Sequence, residues 1–502
     1  MNAAEPKTLS LYIDGEYRPP AGGAYFDNHY PYTGEVESRV PRGTAEDVNK
    51  AVAAADRAFR EGPWATMTAT KRGKILHAIG DIIAAHAEEL ATLEVRDNGK
   101  LMGEMHGQMK YLPEWFYYYG GLADKIEGAV TPAEREGMFH YITHEPQGVV
   151  AAIAPWNSPL LLVAWKLAPA LAAANTIVAK PSEFSPSSML RLAELMVEAG
   201  LPKGVVNVVT GYGAEVGAPL VEHPDVARIA FTGGEGGGRA VYKAAAEHFK
   251  RVSLELGGKS PNIVFEDADL DDAARGTVAG IFAAAGQTCM AGSRLLVHES
   301  VHDVFVEKLI EIVKDAKLGD PMGADTDIGP IATPAQFDKV MHYIDVARED
   351  GATCELGGTA AEGGELGTGR FVHPTIFTGV KNDMRIAQEE VFGPILSIIK
   401  FSDEDEAVRL ANDIPYGLAA GIWTQDLGRA MTLPKRIRAG SVWVNAYRVV
   451  SYMAPFGGFK ASGIGRENGK EAIMEYLETK SVFINASRGI PSPFVMSTPG
   501  DD

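Results

Sequence analysis

Cysteine is scarce: the 502 residues contain two, Cys289 and Cys354. Two thiols cannot form a disulfide framework, so the chain reads as reduced and intracellular. Positive charge is also short, with 47 Lys and Arg against 66 Asp and Glu and a formal net charge of −19. That balance argues against nucleic acid or an anionic membrane as the main partner, because both call for basic patches. It still admits an anionic ligand, which helix N-termini and a few lysines can hold locally. No apolar run is long enough to span a membrane. The longest, Pro159 to Ala174, contains Lys166 and Pro169 and reads as a buried helix. Met1 to Ser10 lacks the apolar core of a secretory leader, so a cytoplasmic location is expected. The G-x-G-x-x-G fingerprint is missing too, since Gly211-Tyr-Gly213 with Gly217 has the wrong spacing. No internal repeat and no low-complexity tract is evident.

What is present points to an α/β protein. The chain is too long for one compact core, so two or three domains are expected. Its 55 glycines cluster where strands meet helices, which suits loops that approach ligands closely. Thr44-Ala-Glu-Asp47 resembles a capping box ahead of a helix from Val48 to Phe59, and helical spacing runs on through Lys71–Leu93 and Glu104–Leu122. The stretch 127–148 breaks this pattern and reads as a projecting hairpin. From Gly148 short β-branched runs alternate with helical ones: Val149–Ile153, Thr176–Ala179, Val205–Val209, Arg228–Phe231 and Arg251–Leu254. Such alternation predicts a parallel sheet with right-handed crossovers and a ligand site at the strand ends. A second alternation begins at Asn262–Phe265 and continues to about Val444. The Gly-rich segment Ala352–Arg370 reads as a surface loop, and the tail after Asn485 as a loose end.

Several strand ends carry reactive groups. Gly286-Gln-Thr-Cys289 places a thiol on a small loop that suits a nucleophile, although taken alone the motif reads slightly better as a buried structural cysteine. Glu255-Leu-Gly-Gly258 offers a carboxylate that can act as a general base on water; a solvated loop glutamate is the plainer reading. Asn157 of Pro155-Trp-Asn157 can donate to an oxyanion or simply shape a turn. Lys180-Pro-Ser-Glu183 can hold the ribose of an adenine dinucleotide or form a surface ion pair, and its acid disfavours a 2′-phosphate. Phe231-Thr-Gly-Gly234 precedes a helix whose N-terminus can hold a pyrophosphate, or it is a plain turn. Two patterns mislead. His298-Glu-Ser-Val-His302 matches a zinc motif in letters, but it straddles a predicted strand–helix junction, so no metal site is expected. Gly258-Lys-Ser260 lacks the earlier glycine of a P-loop, because position 253 is Ser.

Taken together the stretches resemble the aldehyde dehydrogenase superfamily across nearly the whole chain. The resemblance rests on Pro155-Trp-Asn157, Lys180-Pro-Ser-Glu183, Phe231-Thr-Gly233, Glu255-Leu-Gly-Gly-Lys-Ser260 and Gly286-Gln-Thr-Cys289. It continues in Glu389-Glu-Val-Phe-Gly-Pro394, Asn412-Asp-Ile-Pro-Tyr-Gly417, Pro455-Phe-Gly-Gly458 and Gly463-Ile-Gly-Arg-Glu467. It implies a Rossmann-like cofactor domain from residues 1–127 and 147–258, a second α/β catalytic domain at 259–460, and a small β oligomerisation element from 128–146 and 477–502. It also implies a homodimer or homotetramer, consistent with a hairpin that needs a partner to be stable.

The implied reaction oxidises a small-molecule aldehyde to a carboxylic acid with NAD, NADP being possible. Cys289 forms a thiohemiacetal and then a thioester, Asn157 holds the oxyanion, and Glu255 activates the hydrolytic water. Lys166 and Glu467 match positions that relay protons from the base. The resemblance assigns the cofactor to Trp156, Lys180, Ser182, Glu183, Gly213, Gly217, Phe231, Thr232, Gly233, Gly234, Leu256, Gly257, Glu390 and Phe392. It assigns the substrate tunnel to Ser158, Leu162, Trp165, Thr288, Met290, Tyr447, Val450 and Phe456, with Tyr452 available as a further aromatic wall.

Departures from the family pattern are few. Gly234 stands where many relatives have Ser. Ser158 and Val450 replace positions that are often aromatic, which widens the entrance and predicts tolerance of bulky or substituted aldehydes. Arg448 is expected near a polar or anionic substrate tail. Three rival readings are a CoA-acylating enzyme, which generally lacks the base at the position of Glu255, a cofactor-independent thiol esterase, and a non-catalytic scaffold, against which the retained Cys289 and Glu255 speak.

Overall fold

The computed structural model describes residues 5–487 other than 362, 364, 365 and 367, together with residue 494. The end of the expected oligomerisation element therefore lies outside the described residues. The architecture is mixed α/β with two large sheets. Five parallel strands form the middle of the first sheet in the order Arg251–Glu255, Val226–Thr232, Val149–Ile153, Thr176–Lys180 and Val206–Val208. The chain starts in the centre, moves outward one way, then returns to build the other side. The order thus reverses between Val149–Ile153 and Val226–Thr232, and the crevice beyond their carboxyl ends is where an open α/β sheet binds ligands. These strands are continuous apolar runs because helices cover both faces.

Two antiparallel additions close the edges of this sheet. The hairpin Leu11–Ile13 with Glu16–Arg18 joins beyond Val206–Val208, and Gly463–Ile464 returns from the far end of the chain to pair with Leu254 and Glu255. Neither addition is evident in local sequence pattern. The second sheet runs Thr353–Leu356, Thr375–Thr378, Ile395–Phe401, Arg294–His298, Pro261–Val264, Ala419–Trp423 and Ser441–Val444, all parallel except the first strand. Thr353–Leu356 falls in the segment expected to be a surface loop. Instead it pairs as an edge strand, where few residues need burial and the apolar signal is correspondingly weak.

Helices differ in detail from the sequence pattern. Thr44 precedes Ala45–Arg60, and the Asp47 carboxylate accepts from its backbone N–H at 2.9 Å, completing the capping box. The long helical run divides into Ala69–Ala85 and Ala87–Asn98 at His86, and the next divides into Met102–Tyr111 and Pro113–Leu122. Pro113 lacks an N–H and takes the first position of a new helix, which ends the preceding one. The projecting hairpin is Ala129–Thr131 with Met138–Pro146, and Leu477–Asn485 pairs along the whole length of its long strand. Val130 is 69 % and Phe483 64 % exposed on this three-stranded sheet. Among the described residues no helix is long and apolar enough to cross a membrane.

Candidate active site

The Leu270–Ile281 helix, capped by Asp269, leads into a turn in which Ala284, Ala285 and Gly286 all take left-handed backbone angles, with φ of 55°, 50° and 70°. Such a conformation costs each alanine about 1–2 kcal/mol, and strain of this kind gathers at functional sites. A side chain on Gly286 would overlap the Gly393 carbonyl, so only glycine fits. Gln287 locks the turn. Its amide donates to Ala284 O at 3.2 Å and Pro330 O at 3.3 Å, and its oxygen accepts from Ala332 N at 2.9 Å. Behind the loop Tyr447 Oη donates to Met290 O at 3.1 Å. The result is a rigid mount for Cys289, whose thiol is half-buried. Burial first, then the nearby Glu255 and Glu390 carboxyls, push the thiol up to about 12. Asn157 reaches the same loop, Nδ2 donating to Gln287 O at 3.1 Å.

Glu255 ends its strand opposite Gly463 and is 3 % exposed. Neither carboxylate oxygen has a hydrogen-bond partner among the described residues. Burial and the neighbouring Glu467 raise this carboxyl well above the usual range, while Lys166 and Arg466 pull it back. Behind it Lys166 Nζ bridges Glu467 Oε1 at 2.9 Å and Thr232 Oγ1 at 2.7 Å, with the ion pair fully buried. Cys289, Glu255 and Asn157 open together onto one cavity of about 170 Å³, also lined by Trp156, Leu162, Thr232, Gly233, Gly234, Leu256, Gly257, Glu390 and Phe392. A thiol, a carboxyl and an amide facing one small cavity can perform nucleophilic addition, oxyanion stabilisation and water activation.

A larger cavity of about 590 Å³ adjoins it, sharing Pro155, Trp156, Thr232, Gly233 and Gly234. It gathers Lys180, Ser182, Glu183, Gly213, Gly217 and Phe231. Lys180 Nζ lies 3.7 Å from Glu183 Oε2, and its burial lowers the ammonium from its ordinary value. Gly234 caps the Glu235–Ala246 helix, so the helix N-terminus meets the cavity with its positive dipole end and free N–H groups. Small apolar side chains from two helices, Ala218, Val221, Val241 and Ala244 among them, form the opposite wall. This shape suits an adenine dinucleotide: a flat apolar slot, an ion pair for ribose hydroxyls, and a helix end for phosphate. On the wall of the smaller cavity, Glu390 Oε1 accepts from Gly258 N at 3.0 Å, and a Cβ on Gly257 would lie 2.5 Å from the Glu390 carboxylate.

Sequence reasoning missed the apolar wall, Gln336 and Lys339. The two polar residues stand one turn apart on the Pro334–Glu349 helix and line the catalytic cavity. Gln336 Nε2 donates to Val391 O at 2.8 Å and Phe392 O at 2.9 Å, holding Phe392 at its left-handed φ of 63° and against Trp156, with ring centroids 5.5 Å apart. On an amphipathic surface helix neither residue carries a local signal.

Of the residues assigned to substrate, Leu162 lines the catalytic cavity. Trp165 is buried between Trp115, at 6.2 Å, and Phe456, at 5.2 Å. Ser158 Oγ accepts from Lys100, Thr288 is buried, and Val450 O accepts from Tyr111 at 3.4 Å. Tyr111 and Tyr452 extend this aromatic group, their rings 5.9 Å apart. Arg448, expected at a substrate tail, is already engaged. Its guanidinium donates to Glu104 Oε1 at 3.1 Å and Ala279 O at 3.0 Å. His298 and His302 sit on separate elements, the end of a strand and the start of the His302–Val313 helix.

The aldehyde dehydrogenase family model matches residues 17–482. The chain is 46 % identical over 491 residues to a (Z)-2-((N-methylformamido)methylene)-5-hydroxybutyrolactone dehydrogenase of Acinetobacter baylyi, covering 97 % of this chain and 99 % of that protein. It is 44 % identical to a betaine aldehyde dehydrogenase of Bacillus subtilis, covering 95 % and 97 %. The fold superposes with a TM-score of 0.93 on an NAD+ complex of an aldehyde dehydrogenase from Bacillus cereus, at 42 % identity and coverage of 95 % and 97 %. A betaine aldehyde dehydrogenase from Staphylococcus aureus with NAD+ gives 0.95, at 43 % identity and coverage of 97 % of each chain.

Proposed function

The chain belongs to the aldehyde dehydrogenase family and is an NAD-dependent enzyme that oxidises an aldehyde to a carboxylic acid, and from that premise we propose which residues carry each step. The carrying observation is that Cys289, Glu255 and Asn157 share one cavity that runs into a second cavity fitted to a dinucleotide. Lys180 and Glu183 hold the adenosine ribose, the Gly233–Gly234 turn and helix end take the pyrophosphate, and Glu390, steadied by Gly258, takes the nicotinamide ribose. NAD, when bound, would supply the acceptor for the hydride that leaves the substrate carbon, the loss that turns the cysteine adduct into a thioester. The Cys289 sulfur adds to the aldehyde carbon, while Asn157 Nδ2 and the Cys289 N–H stabilise the oxygen that becomes negative. Glu255 then removes a proton from the water that cleaves the thioester. The Lys166–Glu467 pair behind Glu255 passes that proton onward. A carboxyl placed in the thiol's own cavity favours water over CoA as the acyl acceptor.

We further infer domains at 1–127 with 147–258, at 259–460, and a β element of 128–146 with the Leu477–Asn485 strand. The exposed Val130 and Phe483 support self-association of that element into a homodimer or homotetramer. Two free thiols support a reducing, cytoplasmic setting. Glu183 favours NAD over NADP. For substrate, Ser158 and Val450 are small where the family pattern is often aromatic, and the relatives are named for betaine aldehyde and a substituted butyrolactone. Bulky or substituted aldehydes are therefore the proposed class. NADH formation measured across aliphatic, aromatic, amino- and carboxy-aldehydes, with and without CoA, tests this. A higher kcat/KM for acetaldehyde than for every larger aldehyde, or a requirement for CoA, overturns it.

A further inference from the structure

Alternate residues of the turn that carries Asn157 are held by polar side chains from the end of the Ala87–Asn98 helix. Asn98 Nδ2 donates to Trp156 O at 3.2 Å, Lys100 Nζ donates to Ser158 Oγ at 3.0 Å, and Glu94 Oε1 accepts from Leu160 N at 2.8 Å. Gly99, at φ 74°, ends the helix in a left-handed cap, and the reversal turns Asn98 and Lys100 onto the same short segment. Asn98 Oδ1 also accepts from Lys100 N at 3.0 Å, which stiffens the reversal. Glu94, Asn98 and Lys100 are all buried. Burying an amide, an acid and an ammonium together is costly, and apolar side chains of equal volume would pack as well.

The clasp extends to the nucleophile. Glu104 lies 3.6 Å from Lys100 Nζ and accepts from Arg448 at 3.1 Å, and Arg448 donates to Ala279 O at 3.0 Å. Ala279 belongs to the Leu270–Ile281 helix, which leads into the Cys289 loop. Residues 156, 158 and 160 are thus gripped from one side. Asn157, between them, extends its amide to Gln287 O at 3.1 Å, two residues before Cys289.

We propose that Lys100, with Asn98 and Glu94, is a positioning residue for the reaction: by fixing Ser158 and the flanking peptides it aims the Asn157 amide at the oxygen of the tetrahedral intermediate. The inference rests on the reading of Asn157 as an oxyanion donor. An amide contributes to catalysis only when its N–H already points where charge develops, so a loosened turn forfeits the donor without removing it.

The test is a double-mutant cycle in the full-length enzyme with Lys100→Met, Ser158→Ala and Asn157→Ala. Removing an oxyanion donor lowers kcat by roughly 10²–10³-fold. Lys100→Met and Ser158→Ala should each lower kcat by about tenfold in the parent enzyme but by less than about twofold in the Asn157→Ala background, because each then acts on a donor already gone. For Lys100→Met the NAD dissociation constant should stay within about twofold of the parent, since Lys100 lines neither cavity. Equal losses in both backgrounds, or no loss in the parent, overturn the inference. Undiminished turnover in Asn157→Ala alone overturns the oxyanion reading instead, so the two failures are distinguishable. If Lys100→Met does not fold, Asn98→Ala and Ser158→Ala complete the same cycle.

Discussion

Replacing Glu255 with Gln separates the two halves of the reaction. The substitution keeps shape and leaves Cys289, Asn157 and the cofactor cavity intact, but an amide cannot take a proton from water. A positioned general base contributes roughly 10²–10⁴-fold, equivalent to about 2.7–5.5 kcal/mol of barrier. Acylation proceeds first, so rapid mixing of Glu255→Gln with NAD and aldehyde should give one equivalent of NADH per site. Turnover should then be slower than that of the parent enzyme by that factor. Stability should move the other way. The Glu255 carboxyl has no hydrogen-bond partner among the described residues, and burial holds it well above its ordinary 4.5. A carboxyl raised in the folded state favours folding while protonated, and that contribution is lost as pH climbs through its folded value. Gln cannot ionise, so the variant should gain thermal stability over the parent progressively as pH rises above about 5. A parent-like steady-state rate would refute Glu255 as the base. A burst that slows as much as turnover would move its role to thiol activation.

Two further outcomes follow from the nucleophile loop. Cys289→Ser should abolish NADH formation while leaving the unfolding temperature and NAD binding intact. In the parent enzyme kcat/KM should rise with pH above neutrality, because the thiol pushed up to about 12 and the raised Glu255 both need to lose protons; a flat profile from pH 6 to pH 9 would contradict the role given to burial. Gly286→Ala combines a left-handed φ of 70° with a clash against Gly393 O and a Cβ 2.8 Å from Pro394 N. It should cost about 2–5 kcal/mol of stability and roughly 100-fold in kcat, read by thermal unfolding and initial rates.

The β/α alternation, with Asn157, Lys180, Thr232 and Glu255 at or near the ends of successive strands, was legible from residue order. A parallel sheet places all its carboxyl ends on one edge, so a chemical group at a strand end declares its neighbourhood without any long-range information. Cys289 and its glycine-bearing loop were visible for a similar local reason. What the order of residues could not reveal was everything that depends on distant packing. Gln336 and Lys339 sit on an ordinary amphipathic helix, and only folding turns them toward Glu390 and Phe392. Arg448 reads as available to a substrate in sequence, but Glu104, more than three hundred residues earlier, neutralises it in the fold. Lys100 had no mark of function, because a lysine in sequence is usually a solvated one. Its burial against Ser158 comes from two segments meeting in space, with Arg448 of a third segment on Glu104, and contacts between such segments leave no periodic trace in any one of them.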